Sequence, residues 1–243
     1  TEAFFNDFKA LNCIMPDVVC RATGHIAEMI ELVSALEAKG FTYRISDGIY
    51  YDTSKFAAYG ALAGRSHVDG IKAGARVDLN AEKKHPADFT LWKLSAKGET
   101  RQMEWDSPWG KGFPGWHIEC SAMAMKYLGP AFDIHCGGED HVAIHHTNEI
   151  AQAEAVTGRR FVNYWVHSAF LITASAEKMA KSSGGFLTLA VLKEKGHDPL
   201  AYRYFCFSAH YRKQLEFTWE SVDASEKTLE TLRGIVARLV DET

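Results

Sequence analysis

A histidine and a glutamate stand four positions apart in the stretch HHTNEIAQAE, residues 145–154. If this stretch is helical, the side chains of His145 and Glu149 leave the same face of the helix, about one turn apart. An imidazole and a carboxylate in that arrangement can bind a transition metal. They can equally form a solvent-facing pair on an ordinary amphipathic helix. A metal site would need further ligands from elsewhere in the chain.

Two adjacent glycines follow a short apolar run in FDIHCGGEDH, residues 132–141. Gly137 and Gly138 have no side chains to keep the backbone away from a ligand such as a nucleotide. His135 and Asp140 flank them on either side. This loop is therefore a candidate nucleotide site, although a tight turn would also explain the two glycines.

Two lysines separated by two residues lie in AEKMAKSSGG, residues 176–185. Together with the serines and glycines that follow, Lys178 and Lys181 are typical of a mobile cationic loop. Such a loop can fold over a triphosphate and neutralise the charge of a departing pyrophosphate. A solvated surface loop has the same composition.

The first half of the chain shows three local patterns. Apolar residues at helical spacing predict a helix over residues 24–39, which Gly40 ends. The pair Asp47-Gly48 between two β-rich runs predicts a hairpin. Residues 55–114 look irregular, with ADFTLWKLS as the one strand, and we interpret this stretch as an insertion or small subdomain.

In the second half of the chain, helical and strand patterns alternate. The segments are HIECSAMAMKYLG (helix), FDIHCGG (short strand), HHTNEIAQAEAVTG (helix) and FVNYWVHSAFLI (buried strand). This alternation predicts an α/β fold in which helices cover a parallel sheet. After Lys181 the pattern is mostly helical. Ligands of such folds collect where strands end, which is where the candidate residues lie.

Composition limits the functional classes. The 243 residues are 47% hydrophobic and 24% charged, without a run long enough to cross a membrane and without a visible signal peptide, so we expect a cytoplasmic protein with no membrane partner. A net charge of −4 does not favour a protein that binds nucleic acids or other polyanions without sequence specificity, although a local basic patch could still bind RNA. Five scattered cysteines indicate free thiols or metal ligands rather than disulfides.

Taken together, these stretches resemble a known family. KMAKS is similar to the KMSKS signature of class I aminoacyl-tRNA synthetases. GWHIECSAM, DIHCGGED, HHTNEIAQ and VNYWVHSAFL, in this order, resemble the cysteinyl-tRNA synthetases, and the resemblance runs over nearly the whole chain. The fold implied is the second half of a Rossmann-type catalytic domain with an inserted subdomain and a helical stem. The corresponding segments would be 1–40 (helical part of the catalytic domain), 41–115 (insertion), 116–190 (nucleotide-binding half) and 191–243 (stem).

The resemblance also implies cofactors, substrates and site residues. Cys120, His145 and Glu149 match three of the family's four zinc ligands, and the zinc binds the thiolate of the substrate cysteine. Trp116 matches the residue against the substrate side chain, and His135 and Asp140 match residues near the adenylate. Lys178 and Lys181 match the two lysines of the KMSKS signature. We expect Lys178, Lys181 and His135 to be catalytic, with Lys181 on the ATP phosphates and Gly137 and Gly138 in the nucleotide loop. The implied reaction uses cysteine, ATP as its Mg²⁺ complex, and tRNA. His146 would point about 100° away from His145, so we expect it to pack or to support the ligands.

The chain departs from the family pattern in several places. It has no HIGH motif, no cysteine in the position of the fourth zinc ligand and no anticodon-binding tail, and it begins without a methionine. Ala180 stands where KMSKS has its first serine, and Cys136 stands where the family usually has glycine. We therefore expect that the chain alone does not charge tRNA at a useful rate, and that it self-associates or binds a separate amino-terminal half. Two alternatives stay open: a cysteine ligase with a non-tRNA amine acceptor, and a non-catalytic cysteine- or zinc-binding remnant.

Overall fold

A computed structural model describes residues 1–64, 80–96, 98, 101–172 and 188–241. Within these ranges the helices are α1 (Glu2–Ala10), α2 (Ile26–Ala38), α3 (Trp116–Leu128), α4 (His145–Thr157), α5 (Leu189–Glu194), α6 (Pro199–Cys206) and α7 (Trp219–Asp241). The strands are β1 (Thr42–Ile45), β2 (Gly48–Tyr51), β3 (Phe89–Leu94), β4 (Gly112–Pro114), β5 (Phe132–Gly138), β6 (Val162–Ser168), β7 (Leu171–Ile172) and β8 (Leu215–Glu216). The predicted α/β class is confirmed. Lys178 and Lys181, predicted as the two lysines of a KMSKS-type loop, lie outside the described residues.

The chain forms two compact units. One comprises Thr1–Asp17 with His167–Thr243, and the other comprises Val18–Val166. They do not coincide with the four predicted segments, so that finer division stays a prediction. Every predicted site residue in the described part of the chain belongs to the Val18–Val166 unit.

In the Val18–Val166 unit, strands β1 to β4 form an antiparallel sheet in sequential order. The predicted hairpin is confirmed, since Gly48 pairs with Ile45 across the turn. One face of the sheet supports α4. There the ring of Tyr51 stacks on Phe89 at 5.0 Å, and the Tyr51 hydroxyl donates to the Ala151 carbonyl at 3.0 Å. The sheet thereby anchors the helix that bears most of the candidate ligands.

Two strand predictions were wrong. Between residues 55 and 114, β4 is a second strand besides β3; it is only three residues long, too short for a periodic pattern. The run FVNYWVHSAFLI is not one buried strand, because it divides into β6 and β7, and Val162 is the only buried residue of β6. A parallel pairing, as predicted, is formed by the short strands β7 and β8. Strands β5 and β6 form a separate two-stranded sheet, in which the Phe132 N–H at the start of β5 donates to the Phe161 carbonyl, beside the start of β6, at 3.0 Å.

The predicted helices are confirmed at α2, α3 and α4, and Gly40 follows α2 with a φ of +78°. A left-handed glycine of this kind lets the chain leave a helix without a Cβ clash. Helices α2, α3 and α4 pack on one another around a core that includes Met29, Leu36 and Ile118. Their packing places the buried faces of α3 and α4 against each other.

The other unit has its own apolar core, made of Leu189, Leu192, Phe205, Phe217 and Val222. The Asp198 carboxylate accepts from the backbone N–H of Leu200 at 2.8 Å, and Pro199 follows it as the first residue of α6. This is a typical helix start. None of the helices in the described part of the chain has the length and apolar character that a bilayer crossing requires.

Candidate metal and substrate site

Helix α4 is unusual because most of its buried side chains are polar. Nine of its thirteen residues are buried. The buried polar and charged ones are His145, His146, Thr147, Asn148, Glu149 and Gln152. Burial of ionisable groups costs free energy unless they are paired or bind a cation. The buried ionisable side chains of this helix therefore mark a candidate functional site.

The three residues that the resemblance matches to zinc ligands come together. Cys120 lies on α3, whereas His145 and Glu149 lie one turn apart at the start of α4. Their ligand atoms all lie within 4.8 Å of one another. His145 Nε2 and Glu149 Oε1 are 2.8 Å apart. The alternative of a solvent-facing pair is excluded, because the Glu149 side chain is 0% exposed.

Each oxygen of the Glu149 carboxylate lies beside an imidazole nitrogen. Oε2 lies 2.8 Å from His135 Nε2, as Oε1 does from His145 Nε2. An imidazole nitrogen donates a hydrogen bond only when it carries a proton. Burial alone would raise the pKa of Glu149, but hydrogen bonds from His135 and His145 outweigh burial and lower it well below its usual range. The carboxylate is therefore a buried anion that needs a proton-bearing ring or a cation beside it.

The Cys120 thiol is held in its neutral form. Burial raises its pKa to about 12, and the negative charges of Glu149 and Glu119 add to the effect. A divalent cation beside the sulfur would reverse this balance, because a coordinating thiol loses its proton. A thiol, an imidazole and a carboxylate are the donor types that zinc prefers, so these residues fit that ion.

A second imidazole contacts His145 from α3. The Nδ1 atoms of His117 and His145 are 2.8 Å apart, so one ring must donate and the other accept. Burial, followed by the nearby His145, lowers the pKa of His117 to about 3 and keeps that ring neutral. The contact therefore couples the tautomers of the two rings at the His145 nitrogen remote from Glu149. We did not predict His117 from the sequence, where its only signal is its position three residues before Cys120.

Trp116 forms an open wall of the site. Its side chain is 47% exposed, and its ring lies 4.6 Å from the His145 ring and 6.0 Å from the His141 ring. An exposed indole beside buried polar groups offers an apolar surface to a small molecule. Contact with the substrate side chain stays a prediction.

The backbone at Gly137 lies close to two histidine rings. A Cβ on Gly137 would lie 2.6 Å from His146 Cε1 and 2.9 Å from His141 Nδ1, so the glycine makes room for these rings. Gly138 ends β5, and Asp140 lies in the short 3₁₀ turn Glu139–His141 that follows. Nucleotide contact by these residues stays a prediction. So does a role for His135 near an adenylate, although the structure places that ring on Glu149.

The remaining predicted side chains have clear positions. His146 is 1% exposed and packs against the rings of His135 and Trp165, at 4.7 Å from each. Cys136 is exposed and free, and it belongs to none of the potential metal-binding groups of the described residues. All five cysteines are free, as predicted.

Comparison with known proteins finds relatives over nearly the whole chain. The family described as "tRNA synthetases class I (C) catalytic domain" matches residues 1–227. The chain is 56% identical to Cysteine--tRNA ligase 1 of Burkholderia lata over 97% of its length and 50% of that protein. It is 49% identical to Cysteine--tRNA ligase of Treponema denticola, over 99% of the chain and 49% of that protein. The chain thus spans about half the length of these curated relatives.

Similarity to a solved structure concerns the fold alone. The methionyl-tRNA synthetase of Mycobacterium tuberculosis, in complex with methionyl-adenylate, aligns with a TM-score of 0.62 at 15% identity. The alignment covers 92% of this chain and 53% of that one. The described residues therefore have the architecture of a class I synthetase catalytic domain.

Proposed function

We propose that this chain, which belongs to the class I (C) family of tRNA synthetase catalytic domains, serves the ATP-dependent activation of cysteine and its transfer to tRNA. The observation that carries the proposal is the convergence of Cys120, His145 and Glu149, whose ligand atoms lie within 4.8 Å of one another beside an exposed tryptophan. The names of the relatives support the same reaction. No feature of the described residues favours a different acceptor.

These three residues would hold a zinc ion. When bound, the ion supplies a site that prefers a sulfur anion to a hydroxyl group, which is harder to deprotonate. Pocket size alone could not separate cysteine from serine, because such isosteres differ too little in an apolar pocket. The donor chemistry of the site therefore supports selection of cysteine.

The remaining residues would position the substrates. The cysteine carboxylate attacks the α-phosphorus of ATP, pyrophosphate leaves, and a tRNA hydroxyl then attacks the acyl carbonyl and releases AMP. No covalent intermediate with the protein is needed. Catalysis would come from orientation by Trp116, His135 and Asp140 and from charge neutralisation by Lys178 and Lys181, with ATP as its Mg²⁺ complex.

Cobalt substitution tests amino-acid recognition separately from catalysis. The metal-free chain, loaded with one equivalent of Co²⁺, should show a stronger thiolate-to-cobalt absorption when cysteine is added and no change with serine or alanine. Cys120→Ser should remove the protein's own thiolate band, whereas Cys136→Ser and Cys206→Ser should keep it. Equal responses to cysteine and serine would refute the recognition part of the proposal.

The activation step is tested by cysteine-dependent exchange of pyrophosphate into ATP, measured in the protein that contains this chain. We expect exchange with cysteine and not with serine, and release of AMP when tRNA is added. AMP release with an amino sugar instead of tRNA would assign the chain to the cysteine ligases that use another amine. Cysteine binding without any exchange would indicate a non-catalytic remnant.

A further inference from the structure

The Glu149 carboxylate lies between two histidines of its own helix. His145 precedes it by four residues and His146 by three, so at about 100° per residue they flank it by about 40° on one side and about 60° on the other. Each carboxylate oxygen faces a different ring, since Oε1 lies 2.8 Å from His145 Nε2 and Oε2 lies 2.8 Å from His135 Nε2. The carboxylate thus has two separate sides.

A second group of potential ligands lies on the Oε2 side. Single ligand atoms of His135, His146 and Glu149 all lie within 4.8 Å of one another. His146 and Glu149 are almost fully buried, whereas the His135 side chain is 20% exposed. Two imidazoles and a carboxylate form a donor set that binds zinc and neighbouring transition metals.

Neighbouring residues pack closely around the two imidazole rings of this second group. The Trp165 ring lies 4.7 Å from the His146 ring and 4.9 Å from the His135 ring. On another side, the missing side chain of Gly137 admits the His146 ring, which a Cβ would approach to 2.6 Å. His135 and His146 are therefore held close to Glu149 by β5 and by an aromatic wall, independently of Cys120.

We propose that His135, His146 and Glu149 form a second binding site for a divalent transition metal, which shares the Glu149 carboxylate with the Cys120 group. Each ion would use one carboxylate oxygen. The second site has no thiolate, and one carboxylate serves both cations, so the second ion binds more weakly than the first. The opening at His135 leaves room for a water or an anion to complete its coordination. This proposal goes beyond the proposed function, which requires only the Cys120 group.

Cobalt titration of the metal-free, full 243-residue chain tests the proposal. Bound Co²⁺ is counted by equilibrium dialysis with elemental analysis, while absorption reports a thiolate band for the Cys120 group. We expect a first equivalent that develops the thiolate band and a weaker second equivalent that does not. His135→Asn and His146→Asn should each weaken the second equivalent by about 100-fold or more and keep the thiolate band of the first.

Three further variants make the assignment specific. Cys120→Ser should remove the thiolate band and leave the second group able to bind cobalt, whereas Glu149→Gln should weaken both equivalents. His197→Asn is the matched control, because His197, Asp223 and Glu226 form another potential metal-binding group away from Glu149. It should leave both equivalents unchanged.

The outcomes separate this proposal from the proposed function. Saturation of the wild-type chain at one cobalt per chain with a thiolate band would overturn the second site and leave the Cys120 group intact. A second equivalent that is lost in His197→Asn, and not in the His135 or His146 variants, would also overturn it. Retention of the thiolate band in those two variants shows that they fold, so loss of their second equivalent would be attributable to the ligand.

Discussion

At the scale of single residues, the protonation of Cys120 determines how the site responds to pH. Its thiol is protonated at neutral pH because burial raises its pKa to about 12. Glu149 is already ionised there, since its pKa is lowered. A metal ion that binds the thiolate must therefore release a proton from Cys120.

Metal affinity should accordingly rise with pH. Between pH 6 and pH 8, we expect the dissociation constant of the first Zn²⁺ equivalent to fall by at least about tenfold per pH unit. Competition with a chromophoric chelator, corrected for the chelator's own protonation, measures this slope. Cys120→Ser should show a smaller slope. A slope of zero in the wild-type chain would show that the thiol is not a ligand.

His117 should act on the metal through His145. With an ion on Nε2 of His145, the Nδ1–H of that ring donates to His117 Nδ1, which is 2.8 Å away in the structure. His117→Phe removes the acceptor and should weaken Zn²⁺ binding by about 10- to 100-fold. His117→Asn places an amide oxygen near the position of Nδ1 and should retain most of the affinity. Equal affinities for His117→Phe and the wild type, both correctly folded by circular dichroism, would contradict this role.

Lys181 should contribute more to the rate of cysteinyl-adenylate formation than to the affinity for cysteine. It lies outside the described residues, so this prediction rests on the sequence alone. A lysine that meets pyrophosphate mainly in the transition state contributes to catalysis more than to ground-state binding. In the protein that contains this chain, Lys181→Ala should slow cysteinyl-adenylate formation while the dissociation constant of cysteine stays nearly unchanged. Lys193→Ala, at an exposed position of α5, is the control and should leave both quantities unchanged. If Lys181→Ala changed only the dissociation constant of cysteine, the assignment of Lys181 would be wrong.

At the scale of secondary-structure elements, the packing of β5 against α4 depends on Gly137. Gly137→Ala would place a Cβ within 3.0 Å of both His146 and His141. His146 is buried and cannot move away freely, so we expect a loss of about 1–3 kcal/mol in the free energy of unfolding. Urea denaturation of the metal-free chain measures it. Gly24→Ala, whose Cβ would meet no atom within 4 Å, should change stability by less than about 0.5 kcal/mol.

The sequence correctly predicted the helices and the hairpin whose residues have a clear periodic or turn pattern. The 3.6-residue period located α2, and Asp47-Gly48 located the β1–β2 hairpin. Strand β4 was missed because three residues carry no period, and β6 was assigned as buried because an apolar run does not reveal which of its sides is covered. Tertiary packing determines both features.

The sequence predicted the metal ligands of the candidate site, but it did not predict the residues that hold those ligands in place. The ligand set came from the resemblance, whereas spacing alone left the His145–Glu149 pair ambiguous. The contact of His117 with His145 joins residues 28 positions apart, and the approach of His135 to Glu149 joins a strand to a helix. Neither contact has a periodic signature. The same holds for Gly137, whose neighbours are histidine rings that sequence reasoning had not placed there.

At the scale of the whole molecule, the ligands of both proposed metal sites belong to the Val18–Val166 unit. The other unit has its own core around Phe205, Phe217 and Val222. An ion that binds only the folded form of one unit stabilises that unit by mass action. Metal binding should therefore raise protection against unfolding chiefly in the unit that holds the ligands.

Hydrogen exchange measured by mass spectrometry can observe this difference within a single sample. The free Zn²⁺ concentration is buffered at about 100 times its dissociation constant. Some backbone amides of α3 and α4 exchange only when their unit opens. The exchange rates of these amides should fall by about 100-fold, equivalent to about 2.7 kcal/mol. Amides of α6 and α7 serve as the internal reference and should slow far less. The Cys120→Ser chain under the same free Zn²⁺ should show little protection at α3 and α4.

Equal slowing in both units would mean that these amides exchange through a single opening of the whole chain. Slowing confined to α6 and α7 would place the tight metal site at His197, Asp223 and Glu226, and would contradict the assignment to Cys120, His145 and Glu149.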